Sequence, residues 1–288
     1  MKINVIEYKE GMKIAPPMFV SGMPNDVYHA TAEGISNSGL KLVAISPAHY
    51  QYQETRSATR AMEIGTAIHT ALLEPERFAS EYVKLRDVKD RKASEYKEAV
   101  KTHGSELVLV SSEADRVAGM QETVLANPLM SSRLNAPGWR ELSLFVNDPE
   151  TGVMIRVRYD LLTERAQAVD VKKTQDARPE AFSRTIDNYG YDMQAALYLD
   201  AYEWATGDTA TFEFAAVEEK MPHGYKLYTP DQTMIDEGRR KYREALSTFA
   251  ACQKTGEWPN LLCEAVEIIE LPPYRMAQID NEEIDGIY

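Results

Sequence analysis

The feature that most constrains the fold is a change of hydrophobic period in the middle of the chain. Residues 141–147 (ELSLFVN), 152–162 (GVMIRVRYDLL) and 167–173 (QAVDVKK) alternate, whereas apolar residues before and after them recur about every four positions. A period of two indicates strands, and a period near four indicates helices. Residues 148–152 (DPETG) predict a hairpin turn between the first two strands. This order of elements predicts an α/β fold.

The segments around these strands predict the remaining elements. Two short helices are expected near the start, with Ser46 as N-cap and Pro47 as the first helical residue of the second one. The other expectations, in chain order, are a helix over 62–74 with the buried stripe Ile64, Ile68 and Leu72, a mobile charged segment over 84–104, a helix capped by Ser112, a helix over 188–204 ended by Gly207, a strand over 211–219 and a helix over 231–254.

Composition limits the class of protein. The chain has 288 residues, of which 44% are hydrophobic and 27% charged, and these are globular proportions. We expect one domain over 1–275 and an acidic tail over 276–288. No apolar run is long enough for a membrane span, and no secretory signal is visible. Two cysteines exclude a disulfide framework or a four-cysteine metal site within one chain, so we expect a cytoplasmic protein.

The charge of the chain is unevenly distributed. Its formal net charge is −13, which argues against a simple nucleic-acid-coating protein. Residues 84–101 nevertheless hold seven basic side chains against four acidic ones, and RRKYR occupies 239–243. A cationic surface can therefore exist on this acidic chain.

Alternation in the second and third strands predicts a group of charged side chains. On one face of the second strand we expect Val153, Ile155, Val157, Tyr159 and Leu161, and on the other Arg156, Arg158 and Asp160. Asp170 and Lys172 share a face of the third strand. Adjacent strands could bring both aspartates and the lysine around one point, and two carboxylates suit Mg²⁺ or Mn²⁺. The alternative is a solvated sheet face with alternating charges, which is the commoner meaning of an isolated Asp-Val-Lys.

Three further residues carry a weak signal when each is taken alone. A single helical histidine such as His69 is usually structural. Gln194 and Tyr198 share a helix face because they lie four residues apart, and a helical tyrosine is usually part of the core. Their order and spacing relative to Asp160 and the Asp170–Lys172 pair make the combined pattern much more specific.

In this combined pattern the chain resembles the nuclease domain of the exodeoxyribonuclease VIII (RecE) family, within the PD-(D/E)XK superfamily. The similarity covers most of the chain, in the blocks MPNDVYHATAEGISNSGLKLVAISPAHY, MEIGTAIHTALLEPERF, DPETGVMIRVRYDLL, AVDVKKT, YGYDMQAALYLDAY and EWP. It implies a PD-(D/E)XK nuclease fold with a central mixed β-sheet flanked by helices and an αβββαβ core.

The resemblance also implies a role for each matching residue. The metal ligands would be His69, Asp160, Asp170 and the backbone carbonyl of Val171, the catalytic lysine would be Lys172, and Gln194 and Tyr198 would belong to the helical motif that lies against the active site. Tyr159 stands where the nominal motif has proline, and Lys173 stands where threonine is frequent. On alternation, Lys173 should point away from the site. Glu141 could be an additional acidic group, although a surface or structural role is more common for a charged strand end.

The implied activity is Mg²⁺-dependent digestion of double-stranded DNA, 5′→3′ and without ATP, which leaves 3′ single-stranded tails for recombination by strand annealing. The implied partners are duplex DNA, three further copies of the chain in a ring-shaped tetramer, and a RecT-type single-strand annealing protein. Arg156 and Arg158 could contact DNA phosphates or form ion pairs with nearby acids. The alternatives are a RecB-like or Cas4-like nuclease acting on single-stranded ends, and a nuclease-dead DNA-binding or assembly module.

Overall fold

The computed structural model describes residues 3–30, 33–54, 59–261 and 266–271, together with Arg275, Met276 and Ile279. Its strands are β1 (Val5–Glu7), β2 (Met18–Ser21), β3 (Val83–Leu85), β4 (Val108–Val110), β5 (Gly138–Asn147), β6 (Met154–Thr163), β7 (Gln167–Thr174), β8 (Thr211–Glu218) and β9 (Tyr225–Tyr228). Its α-helices are α1 (Asn25–Ala30), α2 (Asn37–Ile45), α3 (Pro47–Gln51), α4 (Arg60–Leu73), α5 (Pro75–Glu81), α6 (Ser94–His103), α7 (Ser111–Leu125), α8 (Pro128–Leu134), α9 (Pro179–Tyr189), α10 (Tyr191–Thr206) and α11 (Gln232–Thr255). The expected acidic tail over 276–288 lies outside the described residues, apart from Met276 and Ile279.

Seven strands form one mixed sheet in the order β1-β2-β5-β6-β7-β8-β9. The central strands β5, β6 and β7 pair antiparallel in sequence, whereas β7 and β8 pair parallel. A parallel pair needs a crossover connection, and α9 and α10 provide it. The predicted α/β fold, a central mixed sheet flanked by helices, is confirmed, as is the predicted hairpin between β5 and β6.

Helices cover both faces of this sheet. On the first face, α2, α9, α10 and α11 pack against apolar side chains of β5 to β8. On the second face, α4, α5, α7 and α8 pack against β6, β7 and β8. Burial on both sides explains why β7 and β8 are rich in valine, alanine and phenylalanine. Within the described ranges, no helix combines the length and apolar character needed to cross a bilayer.

Two predictions about helices are confirmed in detail. Ser46 caps α3, because its Oγ accepts a backbone N–H of the first turn and Pro47 occupies the N-terminal position. The stripe Ile64, Ile68 and Leu72 lies on the buried face of α4. Helix α4 is therefore held firmly against the second face of the sheet.

The expectation of a mobile surface segment over 84–104 is wrong. Residues Ser94–His103 form α6, and β3 pairs parallel with β4 just outside the main sheet. Tyr96 packs with Val108 and Val110 in a small separate core. The helix could not be predicted from the sequence because α6 buries little apolar surface and its other residues are largely lysine and glutamate.

Two helix boundaries also differ from expectation. The N-cap of α7 is Val110 rather than Ser112, and its backbone N–H donates to the Glu113 carboxylate at 3.1 Å. The helix predicted over 188–204 is divided into α9 and α10 by Gly190, which has a φ of 62°. The predicted end at Gly207 is confirmed. Strands β1 and β2 were not predicted, because runs of three and four residues are too short to show alternation.

Candidate active site

The site lies where β6 and β7 separate. The two strands pair only through Leu161–Val169 and Leu162–Ala168. At the next position the Asp160 side chain replaces the ladder, because its Oδ2 accepts a hydrogen bond from the backbone N–H of Val171 at 2.8 Å. The gap between the diverging strands receives side chains from both faces of the sheet.

A distortion in β5 lies directly across from Asp160. The flanking pairs Arg140–Leu161 and Leu142–Tyr159 place Glu141 opposite this aspartate, and Glu141 has a φ of 48°. A left-handed residue that is not glycine is strained, and such strain is concentrated at functional sites.

At the distortion, the alternation of side chains between the two faces of the sheet is reversed in β5 and β6. Val153, Ile155, Val157 and Tyr159 face the first helical layer as predicted, but Leu161 packs in the second layer. The prediction that Leu161 continues the alternation is therefore wrong. The reversal lets Asp160 turn toward α4, while Asp170 and Lys172 stay on the side of α10.

His69, Glu141 and Asp160 form a compact cluster. Each offers one ligand atom, and these atoms all lie within 4.8 Å of one another. His69 Nδ1 lies 3.3 Å from Asp160 Oδ2. Of the two roles considered for Glu141, its place in this cluster favours that of an additional acidic group.

Beside this cluster lies a second polar group on β7 and α10. Gln194 Nε2 donates to Asp170 Oδ1 at 2.8 Å, and Lys172 Nζ donates to Gln194 Oε1 at 3.0 Å. Lys172 Nζ also lies 2.7 Å from Asp170 Oδ2, in an ion pair. Gln194 therefore holds both the acid and the lysine in fixed positions.

The electrostatics of the site favour positive charge. Burial raises the pKa of Glu141 to about 7, and the neighbouring Asp160 charge adds to this effect. Burial likewise raises the pKa of Asp170 to about 6, against the opposing influence of Lys172. Burial alone would lower the pKa of Lys172, but the charges of Asp170 and Asp160 outweigh it and raise the pKa. Carboxylates that share a buried site are stabilised by a bound cation.

The donor set fits a divalent metal ion. Three carboxylates are hard oxygen ligands of the kind that Mg²⁺ and Mn²⁺ accept, and the single imidazole is a borderline ligand beside them. The buried Asp170 Oδ2 is paired with the Lys172 ammonium at 2.7 Å and has no further hydrogen-bond donor among the residues that the structure describes. A carboxylate oxygen carries more than one lone pair, so it can accept a ligand bond beside this ion pair. His69, Glu141, Asp160 and Asp170 would hold the ion, and Val171 remains a predicted carbonyl ligand.

Tyr198, the remaining predicted site residue, lies in the core rather than in the opening of the site. Its ring packs edge-on against Tyr159 at a centroid distance of 5.2 Å, and its backbone carbonyl accepts the Tyr159 hydroxyl at 2.7 Å. Burial raises the pKa of Tyr198 well above its ordinary value. A direct catalytic role for Tyr198 stays a prediction, and its packing favours support of the strand that carries Asp160.

The two arginines of β6 make internal contacts. Arg158 is buried, donates from Nε to Ser143 Oγ at 3.0 Å and from Nη2 to the carbonyl of Met23 at 3.1 Å, and lies over the Tyr28 ring. Arg156 donates to the backbone carbonyl of residue 33 at 3.3 Å. These contacts favour a structural role for Arg158, and DNA contact by either arginine stays a prediction.

A cleft of about 640 Å³ lies between the N-terminal ends of α4 and α7. It is lined by the basic residues Arg60, Lys89, Arg91 and Arg116 and by three acidic residues. Lys173 borders this cleft, because its Nζ donates at 3.0 Å to the lining residue Glu219, on the opposite side of β7 from Lys172. The prediction that Lys173 points away from the metal ligands is confirmed.

A mixed sheet that forks at two aspartates, with a lysine two residues after the second, defines the PD-(D/E)XK class of nuclease folds. The chain belongs to the family described as PDDEXK-like domain of unknown function (DUF3799), whose model matches residues 36–272. That match includes every metal-ligand candidate and Lys172.

Solved structures support the same fold. A candidate exonuclease from Eubacterium rectale superimposes with a TM-score of 0.60 at 13% sequence identity, over 93% of this chain and 98% of that one. A phage-related exonuclease from Haemophilus somnus gives a TM-score of only 0.33 at 10% identity, over 80% of this chain and 99% of that one. At such identities the first likeness establishes the fold alone, and the second is too weak to argue from. A search of curated proteins gave no match.

Sequence reasoning left the role of Glu141 open, because that role depends on a backbone distortion. It missed one residue beside the predicted site. Tyr191 places its ring 4.4 Å from Lys172 Nζ, and its position two residues after Tyr189 could have been noticed in the YGYDMQ segment.

Proposed function

We propose that this protein is a metal-dependent exodeoxyribonuclease of the exodeoxyribonuclease VIII type, which digests double-stranded DNA from its ends. The observation that carries the proposal is the juxtaposition of the His69–Glu141–Asp160 cluster with the Asp170–Lys172–Gln194 network at one fork of the sheet. Burial of three acids around a lysine costs free energy, and charged side chains without a function would instead remain in solvent.

Each residue of the site has a separate role in phosphodiester hydrolysis. A divalent cation supplies, when bound, a Lewis acid for the phosphoryl oxygen and lowers the pKa of water. Gln194 fixes the direction of the Lys172 ammonium, which lies where it can orient the attacking water and balance negative charge in the transition state. His69 and the carboxylates define the metal position relative to that ammonium, so the geometry exists before DNA arrives.

The cleft offers a path for one strand of DNA. Arg60 begins the helix that carries His69, and nine residues at 1.5 Å each separate them by about 14 Å. Phosphates of a strand leaving the site could therefore reach Lys89 and Arg91 at the cleft. Arg60 and Arg116 are already ion-paired with glutamates, so Lys89 and Arg91 are the better candidates for phosphate contact.

The finer features of the proposal follow the family resemblance. They are 5′→3′ digestion without ATP, mononucleotide products, 3′ tails for strand annealing with a RecT-type partner, a ring-shaped tetramer, and action in the cytoplasm. A ring would reconcile a net charge of −13 with DNA binding, because a basic channel can coexist with an acidic exterior. The intact acid and lysine network argues against the nuclease-dead alternative.

One assay tests activity and polarity together. Duplex DNA labelled separately at each 5′ and each 3′ terminus is incubated with the protein and Mg²⁺, with Lys172→Ala as the matched control. We expect early release of 5′ label as mononucleotide and late release of 3′ label. Early release of 3′ label would reverse the polarity, preference for single strands would favour the RecB-like alternative, and no release from any substrate would contradict the proposal.

Assembly is tested separately by deletion of residues 276–288. The native mass of the full chain should correspond to a tetramer, and co-purification with an annealing protein measures partner binding. If the tail docks on a neighbour or partner, its deletion lowers mass or co-purification while cleavage persists. Unchanged mass and binding would make the tail a solvated end.

A further inference from the structure

A pair of tyrosines forms a stack at the junction of α9 and α10. The ring centroids of Tyr189 and Tyr191 lie 5.7 Å apart, and their planes differ by only 20°. Tyr189 is 62% exposed, so one face of the pair is open to solvent. Single exposed apolar residues are common on protein surfaces, and exposure alone therefore has no functional meaning.

The stack is connected to the catalytic network on its inner side. Lys172 Nζ lies 4.4 Å from the centroid of the Tyr191 ring. The same ring lies 6.2 Å from that of Phe214 in the core of the first helical layer. Tyr189 is thus the outermost member of an aromatic series that begins in the core and passes beside the lysine of the site.

The local backbone holds the outer ring in place. Helix α9 ends at Tyr189, and the left-handed conformation of Gly190 turns the chain into α10. A Cβ atom at position 190 would lie 3.1 Å from Cδ of Lys41, which leaves little room for another residue. Lys41 Nζ donates to the carbonyl of Tyr189 at 3.0 Å. The exposed ring is therefore part of a packed junction rather than the end of a loose helix.

We infer that Tyr189 is a stacking platform for an unpaired nucleobase of the DNA strand being cleaved. The inference rests on the proposed function, since it takes Lys172 to mark the position of the scissile phosphate. Only two ring contacts separate the ammonium from the exposed face, so the platform serves a nucleotide close to the cleaved bond. An aromatic ring accepts any base, because every base has a π-face.

This assignment defines the form in which the substrate is bound. Both faces of a base inside a duplex are covered by its neighbours, so a base can stack on Tyr189 only when it is terminal, frayed or single-stranded. The platform would offset part of the energy needed to unpair the end of a duplex. It therefore favours digestion from an end over cleavage within a continuous duplex.

The test uses binding rather than hydrolysis. The full chain is titrated, in EDTA to prevent cleavage, against a hairpin oligonucleotide with an unpaired terminal 2-aminopurine, whose fluorescence falls on stacking. A second hairpin carries an abasic site at that position. The variants are Tyr189→Ala, Tyr189→Phe and, as a control tyrosine that is 79% exposed, Tyr52→Ala.

We expect Tyr189→Ala to abolish the quenching and to raise the Kd by about 5- to 140-fold, the range for loss of one aromatic–base stack. Tyr189→Phe should retain both, and Tyr52→Ala should match the wild type. The abasic hairpin should bind the wild type more weakly, and Tyr189→Ala should cause little further loss. Circular dichroism checks that each variant is folded.

The outcomes distinguish this inference from the proposed function. Quenching and affinity that depend on Tyr189, without hydrolysis in Mg²⁺, would leave the platform in place and contradict the nuclease. Hydrolysis with the same Kd and quenching for Tyr189→Ala as for the wild type would overturn the platform alone. No binding of either hairpin by the wild type would overturn it as well.

Discussion

The Asp160 carboxylate accepts a hydrogen bond from the backbone N–H of Val171, at 2.8 Å, across the point where their strands separate. The bond occupies the position of the next rung of the sheet and fixes the orientation of an acid that would otherwise rotate freely. Because Asp160 Oδ2 also faces His69, the proposed metal-binding side of the fork is preorganised by the sheet itself.

Metal removal should abolish catalysis and leave the fold intact. We expect EDTA to stop DNA digestion, Mg²⁺ or Mn²⁺ to restore it, and Ca²⁺ to bind at the site without restoring fast turnover. Asp160→Asn should behave like the metal-free protein, because an amide is a weaker ligand than a carboxylate. Asp236→Asn, which changes an exposed acid on α11, is the control. Undiminished digestion by Asp160→Asn in Mg²⁺ would show that the cluster is not the metal site.

Two substitutions of Glu141 should have the same effect on metal affinity and different effects on stability. Glu141→Gly and Glu141→Ala both remove the carboxylate, and both should lose most metal affinity, measured by calorimetry with Mn²⁺. Only glycine relieves the left-handed backbone at a φ of 48°. The free energy of unfolding should therefore be about 1 kcal/mol higher for the glycine variant than for the alanine variant. Equal stability of the two would show that the backbone is not strained there.

The two adjacent lysines should differ in their effect on rate. Lys172→Ala should lower kcat by at least about 100-fold with little change in DNA affinity, because its ammonium acts on the transition state. Lys173→Ala removes the ion pair with Glu219 and the hydrogen bond to the Ala61 carbonyl, both on the opposite face, and should keep kcat at saturating DNA. Single-turnover rates and filter binding measure the two quantities. A comparable loss of kcat in both variants would argue for a general effect of charge.

Substitution of the buried Arg158 should affect stability, whereas substitution of the basic residues of the cleft should affect DNA binding. Arg158→Ala should lower the free energy of unfolding by about 2–3 kcal/mol, because it leaves buried acceptors without their charged donor. Lys89→Ala and Arg91→Ala should leave stability unchanged and weaken DNA binding at all sequences. Each should reduce the slope of log Kd against log salt by about one if it contacts a phosphate. An unchanged slope in both would remove the cleft from the DNA path.

Elements with strong local signals could be predicted from the sequence. The alternation of β5, β6 and β7 and the DPETG turn determine the hairpin and the third strand, and Ser46 and Pro47 determine the start of α3. Segments that lack a long apolar face could not be predicted in the same way. Helix α6 is an example, because it is stabilised by contact with β3 and β4 rather than by its own pattern.

The same distinction between local signals and tertiary packing applies to the residues of the site. The sequence by itself was enough to propose the set His69, Asp160, Asp170, Lys172 and Gln194, because the order and spacing that carry the family resemblance are properties of the chain. Only the tertiary structure decided that Glu141 joins them and that Leu161 leaves the predicted face. The physical reason is that alternation assumes an undistorted strand, whereas the left-handed backbone at Glu141 turns β5 and β6 over at the fork. That reversal depends on how two helical layers pack on the sheet, and no local pattern of residues contains it.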